Sequence, residues 1–262
     1  MADIISSRDN KKLRLLSAAA TSKGRKKHGL FLVEGRRMAE EATRFAAEKI
    51  RYIFVSESFE EGNPDFMRGL DGGGFLVYTV TDKLFNDAAS TTTPQGVAAL
   101  LEIDGGETAK ADGLSNVLIL DGVSEPGNVG AIIRTAEASG VEAVYLMKGC
   151  ADIYNPKAVR STMGSIFRMR FRTGCEIEDI EELKSSGFRI AATALDGSVD
   201  LFEYARGREG GKTAAVIGSE ARGVSDEVLS LSDVRVRIPM KGKVESLNAA
   251  VAAGVLMYAI FG

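Results

Sequence analysis

Residues 117–134 run Val-Leu-Ile-Leu-Asp-Gly-Val-Ser-Glu-Pro-Gly-Asn-Val-Gly-Ala-Ile-Ile-Arg, and this stretch decides the fold of the second half of the chain. Its first four residues form a continuous apolar run, which is typical of a strand buried on both faces of a parallel sheet. The spacing predicts a helix over residues 131–139 that stops at Gly140, a favourable C-terminal cap. A buried strand followed by a helix is the repeating unit of α/β folds.

Two further segments have the same character. Residues 217–223, Ile-Gly-Ser-Glu-Ala-Arg-Gly, and residues 238–248, Ile-Pro-Met-Lys-Gly-Lys-Val-Glu-Ser-Leu-Asn, each follow an apolar run that predicts a strand. All three segments gather Gly with Asn, Glu, Ser or Arg where the strand ends. Ligands of parallel sheets bind outside the carboxyl ends of the strands, so the three segments together predict one composite site.

The remaining pattern predicts two α/β domains. We expect a substrate-binding domain over residues 1–105, a Gly-rich linker over 106–113 and a larger parallel-sheet domain over 114–262. In the first domain we predict a loop at 22–29, helices at 10–20 and 37–48, and strands at 31–34, 50–55, 75–80 and 97–102. In the second we predict strands at 117–120, 144–147, 190–195, 214–218 and 234–239, a helix from an Asn155 cap to about 167, and a last helix at 247–261.

Composition excludes several classes of protein. The 262 residues are 45% hydrophobic and 26% charged, which is ordinary for a globular chain. The single histidine, His28, argues against a Ser-His-Asp triad and a histidine-rich zinc site, and we expect no metal. Cys150 and Cys175 form no ligand pattern and are expected to be buried thiols. The chain shows no signal-peptide core and no apolar run long enough to span a bilayer, so we expect a cytoplasmic protein.

The net charge of −3 conceals a strongly basic opening. Residues 1–37 hold ten Lys or Arg against three Asp or Glu, whereas residues 38–105 hold five against twelve. Basic clusters are typical of surfaces that bind nucleic-acid phosphates, although a solvated helix face and loop would have the same composition. With one arginine from the second half, the candidate RNA-binding residues are Lys11, Lys12, Lys23, Arg25, Lys26, Lys27, Arg36, Arg37 and Arg160.

Each polar segment also has a purely structural interpretation. Asn128 could cap a helix while Arg134 faces solvent, the glycines near Glu220 could serve a tight turn, and Asn248 could cap the last helix. Their occurrence together, in order and at strand ends, favours a functional site.

These segments closely resemble the SpoU (TrmH) family of RNA ribose 2′-O-methyltransferases. Residues 128–134, 217–223 and 238–248 resemble the three motifs of the family, and residues 155–165, Asn-Pro-Lys-Ala-Val-Arg-Ser-Thr-Met-Gly-Ser, resemble a further family segment. The stretches Phe-Leu-Val-Glu-Gly-Arg at 31–36 and Thr-Pro-Gln-Gly at 93–96 resemble the small substrate-binding domain that precedes the catalytic domain in many members.

The resemblance implies a fold, a cofactor and a set of site residues. It implies a trefoil-knotted catalytic domain that dimerises and binds S-adenosylmethionine against Leu195, Gly218, Ile238 and Leu247. It places Asn128, Arg134, Glu220, Ser246 and Asn248 around the reacting ribose oxygen. Arg134 is the proposed base of the family, but a guanidinium is nearly always protonated, so Arg134 either takes the proton or stabilises the developing alkoxide.

We therefore predict an S-adenosylmethionine-dependent enzyme that methylates a ribose 2′-oxygen in structured RNA, with rRNA favoured and tRNA as the alternative. A non-catalytic RNA-binding assembly factor on the same fold would be expected to have lost Asn128 or Arg134, and both are present. A small-molecule enzyme with a nucleotide cofactor would be expected to carry a Gly-x-Gly-x-x-Gly loop between a strand and a helix, and the sequence has none there.

Overall fold

The computed structural model describes residues 4–104, 109–244 and 246–262. The chain forms two compact units, Met1–Ile103 with Asp152–Phe167, and Asp104–Ala151 with Arg168–Gly262. The division differs from a single cut at a linker, because the segment Asp152–Phe167 returns to the first unit. Residues 106–108 of the predicted linker lie outside the described residues.

The first unit contains a four-stranded sheet covered by short helices. Its strands follow the spatial order β1-β4-β2-β3; β4 pairs antiparallel with β1 and β2, and β2 pairs parallel with β3. All four predicted strands are confirmed. The strands are β1 Leu30–Glu34, β2 Ile50–Ser56, β3 Val77–Val80 and β4 Val97–Glu102, and the helices are α1 Lys11–Ala19, α2 Ser22–His28, α3 Arg36–Phe45, α4 Glu57–Gly62, α5 Pro64–Gly72 and α6 Asp82–Ala88.

The prediction of a loop at residues 22–29 was wrong, because α2 occupies this stretch. Thr21 caps the helix by accepting the N–H of Gly24, and Gly29 ends it in the left-handed conformation at φ 64°. This pair of caps is the ordinary start and stop signal of a helix.

Arg25 of α2 is buried, with a side chain only 4% exposed. Its Nε and Nη2 donate to Oδ2 of Asp152 at 2.9 and 2.6 Å, and its Nη1 donates to the carbonyls of Ala19 and Ala20, both at 3.1 Å. Asp152 opens the segment that returns to the first unit. The ion pair therefore joins residues 127 positions apart within this unit.

The returning segment packs beside β1. The rings of Phe31 and Tyr154 lie 4.8 Å apart, and the Asn155 side chain caps the helix α8 Pro156–Ser161 as predicted. α8 is shorter than the predicted helix to residue 167. Met163 and Gly164 both have positive φ, and a 3-10 turn follows at Ser165–Phe167.

The second unit is a seven-stranded parallel sheet of order β7-β6-β5-β10-β8-β11-β9. The predicted strands near 117, 144, 190, 214 and 234 are confirmed, whereas β7, β9, α9, α10 and α11 were not predicted. The strands are β5 Asn116–Asp121, β6 Ala143–Met147, β7 Arg170–Cys175, β8 Arg189–Thr193, β9 Val199–Asp200, β10 Thr213–Gly218 and β11 Val234–Arg237, and the helices are α7 Pro126–Ala138, α9 Ile177–Ser185, α10 Leu201–Gly207, α11 Asp226–Leu231 and α12 Ala249–Ile260.

The core of the second unit lies around the central strands. Residues 117–120 of β5 are completely buried, as expected for a strand covered on both faces. The last helix, α12, packs on α7 and β10. No helix in the described part of the chain combines the length and hydropathy needed to cross a bilayer.

We expect Arg25→Met to destabilise the first unit. The substitution leaves the buried Ala19 carbonyl, the partly buried Ala20 carbonyl and the Asp152 carboxylate without their donor, and such losses typically cost about 1–3 kcal/mol. Denaturant unfolding should show this loss, whereas Lys26→Met, at an exposed neighbour on the same helix, should stay within about 0.5 kcal/mol of the parent. Equal stability of Arg25→Met and the parent would contradict a structural role for this ion pair.

Candidate active site

The site is built at one edge of the parallel sheet. β5, β10, β8 and β11 are parallel neighbours, and Gly218 at the end of β10 lies opposite Asp121 at the end of β5. The segments that follow β5, β10 and β11 therefore leave the sheet at the same edge, as the sequence predicted.

Hydrogen bonds join the three segments through Asn128. Its Nδ2 donates to the Glu220 carboxylate, and its Oδ1 accepts from Nδ2 of Asn248 at 3.1 Å. The three residues come from three different segments, up to 120 positions apart. Glu220 and Asn248 are exposed and Asn128 is half-buried, so these groups remain accessible to a ligand.

α7 begins earlier than predicted. It starts at Pro126 rather than near residue 131, and Glu125 rather than Asn128 is its N-cap. Asn128 consequently lies in the first turn of the helix, and its side chain is free to bond Glu220. Proline is favoured at the first position of a helix because its missing N–H would have no partner there.

The turn that carries Glu220 depends on glycine. The backbones of Ser219 and Gly223 exchange two hydrogen bonds, at 3.1 and 2.9 Å, which closes a tight turn. A Cβ on Gly218 would lie 2.0 Å from the carbonyl carbon of Gly223, so only glycine fits at this position.

Asn248 serves the helix and the site at once. Its Oδ1 accepts the N–H groups of Ala250 and Val251 at 2.9 and 3.3 Å, so it is the N-cap of α12. Its Nδ2 is the donor to Asn128. The interpretation as a helix cap is therefore confirmed, and the assignment of Asn248 to the site remains a prediction that its contact with Asn128 supports.

Two predicted site residues stand outside this network. Arg134 lies on α7 with an exposed side chain and makes no hydrogen bond or ion pair with the described residues. Ser246 is also exposed and has no such partner among them. The geometry thus unites Asn128, Glu220 and Asn248 and leaves the Arg134 guanidinium available to a ligand.

Two family models match nearly the whole chain. The SpoU rRNA methylase family model matches residues 115–258, and the MRM3-like substrate-binding domain model matches residues 10–99. The chain belongs to the SpoU rRNA methylase family. The predicted family is therefore confirmed, and the chain matches a substrate-binding model before the methylase model, as the resemblance implied.

Individual relatives of known name extend over the full length of the chain. The 23S rRNA (guanosine(2553)-2'-O)-methyltransferase RlmP of Bacillus subtilis is 33% identical over 98% of this chain and 99% of its own. The crystal structure of an AdoMet-bound rRNA methyltransferase from Sinorhizobium meliloti has a TM-score of 0.84 at 26% identity, covering 98% and 97% of the two chains. The SpoU methyltransferase AviRb from Streptomyces viridochromogenes in complex with AdoMet has a TM-score of 0.82 at 25% identity, covering 96% and 97%.

The residues expected to hold the cofactor follow three neighbouring strands of this SpoU sheet. Leu195 lies just after β8, Gly218 ends β10 and Ile238 follows β11, while Leu247 immediately precedes Asn248. Leu195 is 78% exposed, and Met240 and Val244 are exposed close to Ile238 in sequence. These exposed apolar side chains lie in segments at the same sheet edge as Gly218, a position where a Cβ would clash with the neighbouring backbone. Such an apolar surface fits a flat group such as adenine.

One hydrogen bond at this edge of the sheet was not predicted from the sequence. The Asp121 carboxylate accepts the N–H of Ser225 at 2.7 Å, which ties the segment after β5 to the chain just beyond the Glu220 turn. Asp121 is the first charged residue after the apolar run 117–120, and that position at a strand end could have indicated it.

The candidate RNA-binding cations fall into two groups. Lys11, Lys23, Lys26, Lys27 and Arg37 are exposed and make no ion pair or hydrogen bond with described residues through their side chains. The others are engaged within the first unit: Lys12 lies 3.9 Å from the Tyr78 ring centre, Arg36 pairs with Glu40 at 2.9 Å, Arg160 contacts Glu34, and Arg25 binds Asp152.

Arg25 is a correction to the sequence-based set. Because its side chain is buried and held by Asp152 and two carbonyls, it is not available to an RNA phosphate. A buried partner 127 residues away could not be read from the local basic pattern.

The two cysteines behave as packing residues. Cys175 is buried and Cys150 half-buried, and both are reduced. Burial raises the pKa of the Cys150 thiol to about 11 and that of Cys175 to about 12. Neither thiol would be a ready nucleophile at neutral pH, because the thiolate is the reactive form.

We expect two substitutions of Asn248 to separate its two roles. Aspartate caps a helix about as well as asparagine, but it offers Asn128 no amide donor, whereas alanine removes both interactions and costs about 1 kcal/mol of stability. Asn248→Asp should therefore keep the parental Tm and lose methyl transfer to RNA, and Asn248→Ala should lose both. Parental activity in Asn248→Asp would show that the Asn128 contact is dispensable.

Proposed function

We propose that this chain transfers a methyl group from S-adenosylmethionine to the 2′-oxygen of a ribose in structured RNA, with rRNA favoured over tRNA. The hydrogen-bonded set Glu220–Asn128–Asn248 carries the proposal, because it gathers polar groups from all three motif segments at one sheet edge. The RlmP relative, whose name describes rRNA 2'-O-methylation, aligns over almost the whole chain. The retention of Asn128 and Arg134 disfavours a non-catalytic assembly factor.

Methyl transfer requires the protein to position the two reacting groups and to stabilise the charge that develops. The sulfonium of the bound cofactor supplies an electrophilic methyl group. The chain must hold the ribose oxygen in line with it and manage the departing proton. Glu220, Asn128 and Asn248 form a rigid polar surface on which the ribose can be oriented, and Ser246 adds a hydroxyl next to Asn248 in sequence.

Arg134 is the residue proposed to act on the reacting oxygen. Its guanidinium is exposed and uncommitted among the described residues, so it can bind an RNA phosphate and the ribose oxygen. Guanidinium groups stay protonated, which favours stabilisation of the developing alkoxide over proton removal. Both roles make Arg134 essential to the rate and dispensable for binding of the cofactor.

The cofactor is proposed to lie against Leu195, Gly218, Ile238 and Leu247. Exposed Leu195 offers apolar surface, and the absence of a side chain at Gly218 allows the backbone of Gly223 to approach closely. The trefoil knot implied by the family resemblance would involve the C-terminal part of this unit, where α12 packs on α7 and β10.

The first unit is proposed to bind the RNA and the second to hold the catalytic site. Lys11, Lys23, Lys26, Lys27 and Arg37 are the candidate cations of the first unit without a partner among the described residues, and they would contact phosphates without selecting a base. Homodimerisation through the second unit remains a prediction. It is supported by Val251 and Tyr258, which are exposed on the strongly apolar helix α12. Location in the cytoplasm also remains a prediction.

Arg134→Ala tests the catalytic assignment. Loss of one charge-stabilising donor commonly lowers the rate by about a hundredfold or more. We expect methyl transfer to an unmodified 23S rRNA transcript to fall by at least that factor, while calorimetry shows S-adenosylmethionine binding close to the parent. Arg206→Ala, at an exposed arginine of α10 outside the three motif segments, is the control and should keep parental turnover. Near-parental turnover in Arg134→Ala would overturn the assignment.

The triple variant Lys23→Ala, Lys26→Ala and Lys27→Ala tests the electrostatic role of α2. Each lost phosphate contact should lower the log–log dependence of RNA affinity on salt by roughly 0.7–0.9. We expect weaker binding to all RNAs tested, with cofactor binding unchanged. If the triple variant binds RNA as tightly as the parent across a salt series, these lysines are only a solvated helix face.

A further inference from the structure

Glu34, at the end of β1, is a buried carboxylate that the proposed mechanism does not use. Its side chain is 6% exposed, and it accepts three donors: the N–H of Ser90 at 2.8 Å, the Ser90 hydroxyl, and Nη1 of Arg160 at 3.3 Å. Arg160 Nη1 also donates to Oγ of Ser90 at 3.1 Å. A buried charge is tolerated only when it is paired and hydrogen-bonded, and these contacts satisfy that requirement.

This cluster fixes one end of the loop formed by residues 90–95, between α6 and β4. The other end is fixed by Gln95, whose Oε1 accepts the N–H of Arg36 at 2.9 Å. The next residue, Gly96, accepts the N–H of Ser56 through its carbonyl at 2.8 Å. The loop is therefore held at both ends by contacts to different strands and helices of the first unit.

The middle of the loop points polar groups away from the protein. Thr91, Thr92 and Thr93 are consecutive, Thr92 and Thr93 are exposed, and no hydroxyl of the three bonds a described residue. The χ1 angle of threonine is restricted, so on a loop anchored at both ends the three side chains hold their hydroxyls in a small number of positions. Hydroxyls and arginines are common partners of RNA phosphates and sugars.

Two arginines lie next to the anchors of the loop, Arg160 through its contact with Ser90 and Arg37 as the sequence neighbour of Arg36. Arg160 is 36% exposed, and only its Nη1 is used by Glu34 and Ser90. Arg37 follows the anchor residue Arg36 and is exposed without a partner among the described residues. Because Arg160 is paired with Glu34, the loop offers mainly neutral hydroxyl donors, and these suit the oxygens of a phosphodiester backbone rather than an apolar ligand.

We propose that residues 90–95 form a contact site for the RNA backbone, and that Glu34 and Arg160 are positioning residues that hold this loop. The proposal rests on the proposed function, and it changes the predicted role of Arg160 from a phosphate ligand to a support. Arg160 lies in the segment Asp152–Phe167, which continues directly towards β7 of the parallel sheet. The position of the RNA-binding loop therefore depends on a residue supplied by the chain between two strands of the catalytic half.

The loop itself is tested by replacing Thr91, Thr92 and Thr93 together with valine. Valine keeps the β-branched shape and removes the hydroxyl, and because these side chains are not buried the stability should remain parental. We expect the KM for an unmodified 23S rRNA transcript to rise about tenfold, with kcat and cofactor affinity within about twofold of the parent. Thr173→Val, at an exposed threonine of β7, is the matched control and should leave KM unchanged. A parental KM in the triple valine variant would overturn the RNA contact.

The positioning role is tested by Glu34→Gln, Arg160→Met and their combination. If Glu34 and Arg160 act only through the loop, each single variant should raise KM by a similar factor and the double variant should be no worse, because coupled residues are not additive. Neither variant should change the salt dependence of RNA affinity. If Arg160 were itself a phosphate ligand, Arg160→Met would lower the log–log slope by roughly 0.7–0.9, whereas Glu34→Gln would leave this slope unchanged. That pattern would overturn the positioning role.

Assays of the unsubstituted protein distinguish a failure of the proposed function from a failure of the loop assignment. A parent that neither binds S-adenosylmethionine nor methylates the transcript would refute the proposed function, and the loop assignment with it. A parent that does both, with all loop variants at parental KM, would refute the loop assignment alone. Thermal unfolding of Glu34→Gln identifies any loss that comes from misfolding, and the triple valine variant remains decisive in that case.

Discussion

The parallel pairing of β10 with β5 is the constraint on which the site depends. It places Gly218 opposite Asp121, so that the segments after these two strands start from neighbouring points on one sheet edge. Residues 117–120 are completely buried on both faces, so a shift by one residue would put every side chain into a close-packed space shaped for its neighbour, which makes such a shift unfavourable. The apolar core therefore fixes the register, and the register brings Glu220 within hydrogen-bonding reach of Asn128.

Asn128 then transmits this constraint to the C-terminal helix. Because Asn248 both caps α12 and donates to Asn128, the start of the last helix is fixed relative to the start of α7. A cap alone would tolerate Ser, Thr or Asp, whereas a residue that must also donate an amide N–H is restricted to Asn. Several residue types could cap α12 at this position, and the bond to Asn128 is what restricts the choice to Asn.

The buried strands could be predicted from the sequence, whereas the contacts between distant segments could not. Apolar runs predicted β5, β6, β8, β10 and β11, but β7, at the edge of the sheet, carries Arg170 and Arg172 and lacks such a run. α2 was missed because its basic composition resembles a loop, although Thr21 and Gly29 mark its ends. The motif residues were recognised by resemblance, whereas the bonds that join them require a register that no local pattern contains.

Ion pairs made by basic residues of the stretch 1–37 could not be predicted from the sequence either, and they reduce the charge available to RNA. Arg25 is neutralised by Asp152, and Arg36 is paired with Glu40, so the field presented to RNA is weaker than the formal charge of residues 1–37 suggests. The remaining exposed lysines attract any phosphate with little selectivity, because each ammonium group ends a long, flexible stem. Selection of one RNA must therefore depend on groups held in fixed positions. The loop of residues 90–95, anchored by Glu34 at one end and by Gln95 at the other, is fixed in this way in the first unit. Charge would then bring RNA to the protein, and the shape of the anchored loop would decide which backbone geometry stays bound.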